Sequence, residues 1–185
     1  MPGVGIASVP VMEKPAKKRD VAALEHELSR ENQPDNPVVE ELRRQVGNGL
    51  VLYTNYKHYH WQTFGPMFRD LHKLFDELAE EVLETIDEIA ERVRMIGQNP
   101  PAHLLDAANV ASVATSESPA TMREMVEEAD RNALIVISEL RNGARLADEH
   151  DDPGTVDVFA KTLRVHEKHE WFLREILRRG DGLCT

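Results

Sequence analysis

The chain has 185 residues, 41% hydrophobic and 30% charged, enough for one well-filled core and too few for two of comfortable size. Such a core needs no disulfide framework, and the lone Cys184 fits a reducing compartment. The opening MPGVGIASVPVM has no basic start, and no apolar run approaches the roughly 18 residues that span a bilayer, so a cytoplasmic protein outside the membrane is expected. Lys and Arg number 22 against 33 Asp and Glu, a net charge of -11, which excludes a cationic body for nucleic acid and suits cations better.

Residues 1–20 carry Pro2, Pro10, Pro15 and the basic cluster Lys14, Lys17, Lys18 and Arg19, and read as a flexible tail. A short helix fits 20–31. Asn36-Pro37 is a strong start signal for a first long helix reaching Phe64, where Gly65-Pro66 stops it and opens the next. From Pro66 the apolar set Leu71, Leu74, Phe75, Leu78, Val82, Ile86, Ile89, Val93 and Ile96 recurs every three or four residues up to Gly97. A linker with a short helix at 103–110 follows. Ser118-Pro119 opens a third long helix, which runs to the turn at His150–Gly154, and a fourth runs from about Thr155 to Arg179. No segment alternates with a two-residue period. The predicted fold is therefore an all-α four-helix bundle, residues 21–180, with a short extra helix between its second and third helices and a short tail at 181–185.

On a helical projection with Leu71 at zero, the apolar set centres near about 10°, whereas His72, Asp76, Asp87 and Glu91 fall near about 100°, 140°, 160° and 200°. These four form a stripe turned away from the subunit's own core, toward water or a partner. Leu83, Ala79 and Ala90 on the same side suit a partner; Arg69, Lys73, Glu80, Glu84 and Arg94 suit solvent. A solvated charged face and a metal-bearing interface both remain open on geometry alone. The chain has no Glu-x-x-His motif, which excludes a di-iron centre built inside one bundle from such pairs.

The window YKHYHWQTFGPMFRDLHKLFDELAEEVLETIDEIAERVRMIG, residues 56–97, resembles the core signature of the Dps family of mini-ferritins, DNA-binding proteins of starved cells. The matching elements are His60-Trp61, Gly65, Phe68, His72, Asp76, Ile86-Asp87-Glu88-x-Ala90-Glu91-Arg92 and Gly97. The likeness extends over residues 37–180, including the late His166-Glu167-Lys168 and Trp171-Phe172-Leu173.

The resemblance implies a ferritin-like bundle assembled into a hollow homo-dodecamer with ferroxidase sites at two-fold interfaces. His60 and His72 would come from one subunit and Asp87 and Glu91 from its partner, with Asp76 as a nearby ligand or supporting carboxylate and Trp61 beside the site. It further implies oxidation of Fe(II), with hydrogen peroxide preferred over dioxygen, storage of a ferric mineral, and protection against oxidative damage. Carboxylate and imidazole ligands suit iron, and zinc competes for the same donors.

Asp148, Asp151, Asp152 and Asp157, with His150, cluster where related proteins form an acidic three-fold pore; a polar turn with capping aspartates is the alternative. His58 lies on a different side of its helix from His60 and reads as a packing or surface residue. His166 and His169 share a helical face, either as an extra metal pair or in ordinary hydrogen bonds. Lys14, Lys17, Lys18 and Arg19 are the only local cluster suited to phosphates. The alternative to ferroxidase function is a mainly structural, nucleoid-compacting DNA-binding protein.

Overall fold

The computed structural model describes residues 36–178, and these form five helices. They are α1 (Pro37–Gln62), α2 (Phe68–Met95), α3 (Leu104–Val110), α4 (Met122–Glu149) and α5 (Pro153–Leu177). The expected helix at 20–31, the cluster Lys14, Lys17, Lys18 and Arg19, and both tails lie outside the described residues. α1 packs along α2 and α4 along α5; contacts of α1 with α4 and of α2 with α5 join the two hairpins, and α3 lies against α1. This is the expected four-helix bundle with its extra helix in the linker.

Local chemistry sets the ends. The Asn36 side chain accepts the Val38 N–H at 2.9 Å, and Pro37 occupies the first turn of α1. α1 stops at Gln62, short of Phe64, because Thr63 is extended and Gly65 turns the chain at φ 81, a region open to glycine. α2 closes as Gly97 predicts: Gly97 N–H returns to Arg94 O at 2.9 Å and Gln98 N–H to Val93 O at 3.0 Å. α4 begins three residues later than Ser118-Pro119 suggests. Ser118 precedes proline and sits at φ 59, outside the helical region, and the working cap is Thr121, whose hydroxyl accepts Glu124 N–H at 3.2 Å while Glu124 Oε2 accepts Thr121 N–H at 3.0 Å.

The core is aromatic where α1 meets α2, through Tyr56, Tyr59 and Phe75, and is filled elsewhere by Leu42, Leu52, Leu78, Ile89, Leu140, Phe159 and Leu173. Two asparagines of α1 tie down the linker after α3. Asn48 Oδ1 accepts the N–H groups of Ser112 and Val113, and Asn55 accepts Ser116 N–H at 2.8 Å while donating to Ala114 O at 2.9 Å.

Asp152 departs from the expectation that it is a pore residue. It is buried, caps α5 by accepting the Thr155 N–H at 2.9 Å and the Thr155 hydroxyl at 2.5 Å, and pairs with Arg92 of α2 at 2.6 Å. Arg92 also donates to Thr155 Oγ1 at 2.9 Å, fastening α2 to the start of α5. Asp152→Ala removes a cap and strands a largely buried guanidinium, so we expect a loss of about 3 kcal/mol in urea unfolding, against nearly none for the exposed Asp148→Ala.

His166 and His169 of α5 are buried at 2% and 0% exposure. Burial, with a smaller contribution from His169, pushes the His166 imidazole down to about 3, so the folded chain holds it neutral where the unfolded chain, titrating near about 6.5, binds a proton. Burial also lowers His169, against the pull of Glu81. The unfolded state thus takes up more protons below pH 6.5, and His166 alone removes stability by about 1.4 kcal/mol per pH unit as pH falls toward 3. Urea midpoints measured between pH 7.5 and 5 should fall less steeply for His166→Leu than for the parent chain.

Candidate metal centre

The Gly65 turn folds α2 back along α1 and sets His60 beside His72. Their rings stack with centroids 3.7 Å apart and planes 19° apart, and Phe68 stacks on the other face of His72 at 5.1 Å. Each ring is held by the opposite helix's backbone: His60 Nδ1 lies 2.7 Å from His72 O, and His72 Nδ1 lies 2.9 Å from His60 O. A carbonyl only accepts, so both Nδ1 atoms carry the proton. In its neutral form such a ring keeps an Nε2 lone pair, the atom a metal ion takes.

Asp76, one helical turn after His72, is partly exposed and lies with Oδ1 3.9 Å from His60 Nδ1. Lys57, one turn before His60 on α1, donates to that same oxygen. This bond is the first cause holding the Asp76 carboxyl below the usual carboxylate range, with His60 and His72 adding to it; Asp76 in turn raises the Lys57 ammonium. Sequence reasoning left Lys57 without a role. The available signal was its place three residues before His60, on the same face of α1.

Asp87 and Glu91 lie on the same helix and are exposed. With the rise of an α-helix, Asp87 is about 16 Å beyond Asp76 and about 22 Å beyond His72. Among the described residues of one chain, no three His, Cys, Asp or Glu side chains converge on a common point. The structure therefore brings His60 and His72 together, sets Asp76 beside His60 short of a three-residue cluster, and keeps Asp87 and Glu91 apart from them. Trp61 follows His60 and is 68% exposed; with Phe64, Met67 and Phe68, also exposed, it leaves a broad apolar margin beside the histidines.

Asp148, Asp151 and Asp157 are exposed at the α4–α5 turn, with Asp151 at φ 56, and Asp152 is withdrawn from them as described above. His58 is partly buried, edge-on to Tyr59 at 6.1 Å. His169 has a carboxylate partner that spacing within α5 does not reveal: its Nε2 lies 3.0 Å from Glu81 Oε2, and Lys168 donates to Glu81 Oε1 at 2.6 Å. Although burial opposes it, these two bonds hold Glu81 below its ordinary value. His166 stands edge-on to His169 at 5.6 Å. His169 joins α5 to α2 inside the bundle.

Comparison with known proteins agrees with this architecture. A ferritin-like domain model matches residues 39–183. DNA protection during starvation protein 2 of Bacillus anthracis is 35% identical over 142 residues, covering 77% of this chain and 97% of that one. The X-ray structure of Dps from Thermosynechococcus elongatus superposes with a TM-score of 0.79 at 41% identity, over 88% of this chain and 99% of that one. The Dps protein of Vibrio cholerae O1, described as a member of a broad superfamily of ferritin-like diiron-carboxylate proteins, superposes with a TM-score of 0.73 at 26% identity, over 77% of this chain and 89% of that one. A ferritin-like bundle whose outward face carries a histidine pair, and whose relatives bear that name at these identities, places this chain in the Dps family.

Proposed function

We propose that the chain is a ferroxidase and iron-storing mini-ferritin whose oxidation site is shared between two subunits. The observation that carries this reading is the stacked His60–His72 pair, its Nδ1 protons fixed on backbone carbonyls, with Asp76 alongside. It is half of a ligand set. The other half, Asp87 and Glu91, lies on the same outer stripe too far along α2 to join it within one chain. A two-fold partner running antiparallel along α2 supplies the missing carboxylates to each pair of histidines, and the exposed Trp61, Phe68 and Leu83 are covered in the same contact.

Imidazole and carboxylate donors hold Fe(II) and favour Fe(III). With hydrogen peroxide as the preferred oxidant over dioxygen, two Fe(II) give one electron each and the peroxide O–O bond breaks. Together with two waters, the products are two ferric oxyhydroxide units and four protons. No hydroxyl radical is released when both electrons arrive together. The ferric product is stored in a hollow dodecamer, and Asp148, Asp151 and Asp157 form the acidic rim through which Fe(II) is drawn. Zinc, taking the same donors, blocks the site. The chain's net charge of -11 opposes binding of duplex DNA to its acidic body. Protection of DNA is accordingly assigned to the removal of iron and peroxide in the cytoplasm.

The test is anaerobic Fe(II) loading followed by peroxide, read as ferric absorbance. Asp87→Ala/Glu91→Ala should lose the fast phase by about a hundredfold, and so should His60→Ala/His72→Ala. Assemblies formed by mixing these two variants should regain a fast phase, because each mixed two-fold contact contains one site with every ligand intact. Unchanged rates in the single assemblies, or no recovery in the mixed ones, would refute the shared site.

A further inference from the structure

The interior of the bundle holds polar atoms that no other residue answers. His166 Nδ1, His169 Nδ1 and the Tyr56 hydroxyl are buried without a hydrogen-bond partner, and the three residues are 2%, 0% and 0% exposed. Buried polar groups are nearly always matched, so three orphans in one place call for something between them. They lie together: ring centroids are 5.6 Å apart for His166 and His169 and 6.1 Å apart for Tyr56 and His169, both pairs edge-on. α1 supplies the phenol and α5 both imidazoles.

The protons are arranged for a cation. His169 Nε2 lies 3.0 Å from Glu81 Oε2, so the carboxylate accepts the Nε2 proton and Nδ1 keeps its lone pair. An imidazole backed in this way by a carboxylate is the usual form of a metal-ligating histidine. Burial keeps His166 neutral, and with its proton on Nε2 it presents a second Nδ1 lone pair. The spacing agrees. An ion about 2.0–2.1 Å from a ring nitrogen is about 3.2 Å from the ring centroid, so two imidazoles sharing one ion have centroids about 5.2–6.4 Å apart. The observed 5.6 Å falls within that range.

The geometry points to a buried site for one divalent ion of the zinc class, bound by His166 and His169 of α5 and the Tyr56 oxygen of α1, with Glu81 of α2 orienting His169. Among the described residues no third His, Cys, Asp or Glu completes the group; the phenol does, and a water takes the fourth position. Binding removes the Tyr56 proton. Asp130, whose carboxylate acts on that phenol and whose Oδ1 is buried without a partner, is placed to receive it. The ion's two charges are then met by the phenolate and by Glu81, whose 36% exposed side chain also marks a way in from the surface. Such an ion fastens α5 to α1 and is separate from the outer histidine pair.

The assembled full-length protein carrying His60→Ala/His72→Ala lacks that outer pair and isolates the inner site. Equilibrated with Zn(II) at neutral pH and dialysed, it should keep one ion per chain, and adding Tyr56→Phe should weaken zinc binding about tenfold. Cu(II) loaded in place of zinc should show a phenolate-to-copper charge-transfer band, which Tyr56→Phe abolishes. His166→Gln/His169→Gln should retain neither metal. If that double variant fails to assemble, Tyr56→Phe decides the matter, since it changes one buried oxygen and little of the packing. No zinc retained by the starting protein, or zinc affinity and copper spectrum indifferent to Tyr56→Phe, would overturn the buried site. Metal held equally well by an assembled His166→Gln/His169→Gln chain would overturn it too, placing the ion on surface carboxylates.

Discussion

Burial of one face of α2, from Leu71 through Phe75, Leu78, Val82, Ile86 and Ile89 to Val93, is the constraint on which the rest of the structure depends. These side chains are taken up by the bundle's own core, at about 1.5–3 kcal/mol for each large one, so the helix cannot rotate to turn its polar stripe inward. His72, Asp76, Asp87 and Glu91 are outward-facing as a consequence. A metal centre built from these residues, as proposed, would lie on the bundle's surface and draw its remaining ligands from elsewhere.

The histidine pair is precise because backbone, rather than side chains, orients it. Each ring is held by a carbonyl of the other helix, so the α1–α2 spacing set by Tyr56, Tyr59 and Phe75 is transmitted directly to the two nitrogens. Elsewhere in the bundle, polar pins do the same for the connections. Asn48 and Asn55 hold the linker against α1, and Arg92 with Asp152 ties α2 to the head of α5. These three buried pins specify where segments lie, and each meets a donor or acceptor from another segment.

Much of this was legible in the sequence. The helices announced themselves because glycine and proline stand at their ends and apolar residues recur at helical spacing between them. Ser118-Pro119 misled by three residues, since a serine before proline is driven from the helical region, and the capping box behind it was the stronger signal. The outward stripe on α2 followed from angle alone. What angle could not show was depth and partnership. Asp152 differs from its acidic neighbours only by which way the turn faces it. Lys57 is one lysine among many until α2 is laid beside α1. Glu81 sits in a run of acids, and its inward role appears only once α5 is in place.

The offset of Asp87 and Glu91 from the histidines makes α2 a ruler. On the antiparallel pairing proposed, a symmetry axis passes near the midpoint between His72 and Asp87, close to Glu80 and the exposed Leu83, which then meet their own copies. Every such contact would carry two oxidation sites, one on either side of the axis, spaced by the helix itself. Lengthening α2 by seven residues between them would keep its buried face nearly in phase with the bundle and move the two sites about 10 Å farther apart across the axis. On the proposed reading, iron chemistry and subunit geometry are written on the same helix, and neither can drift without the other.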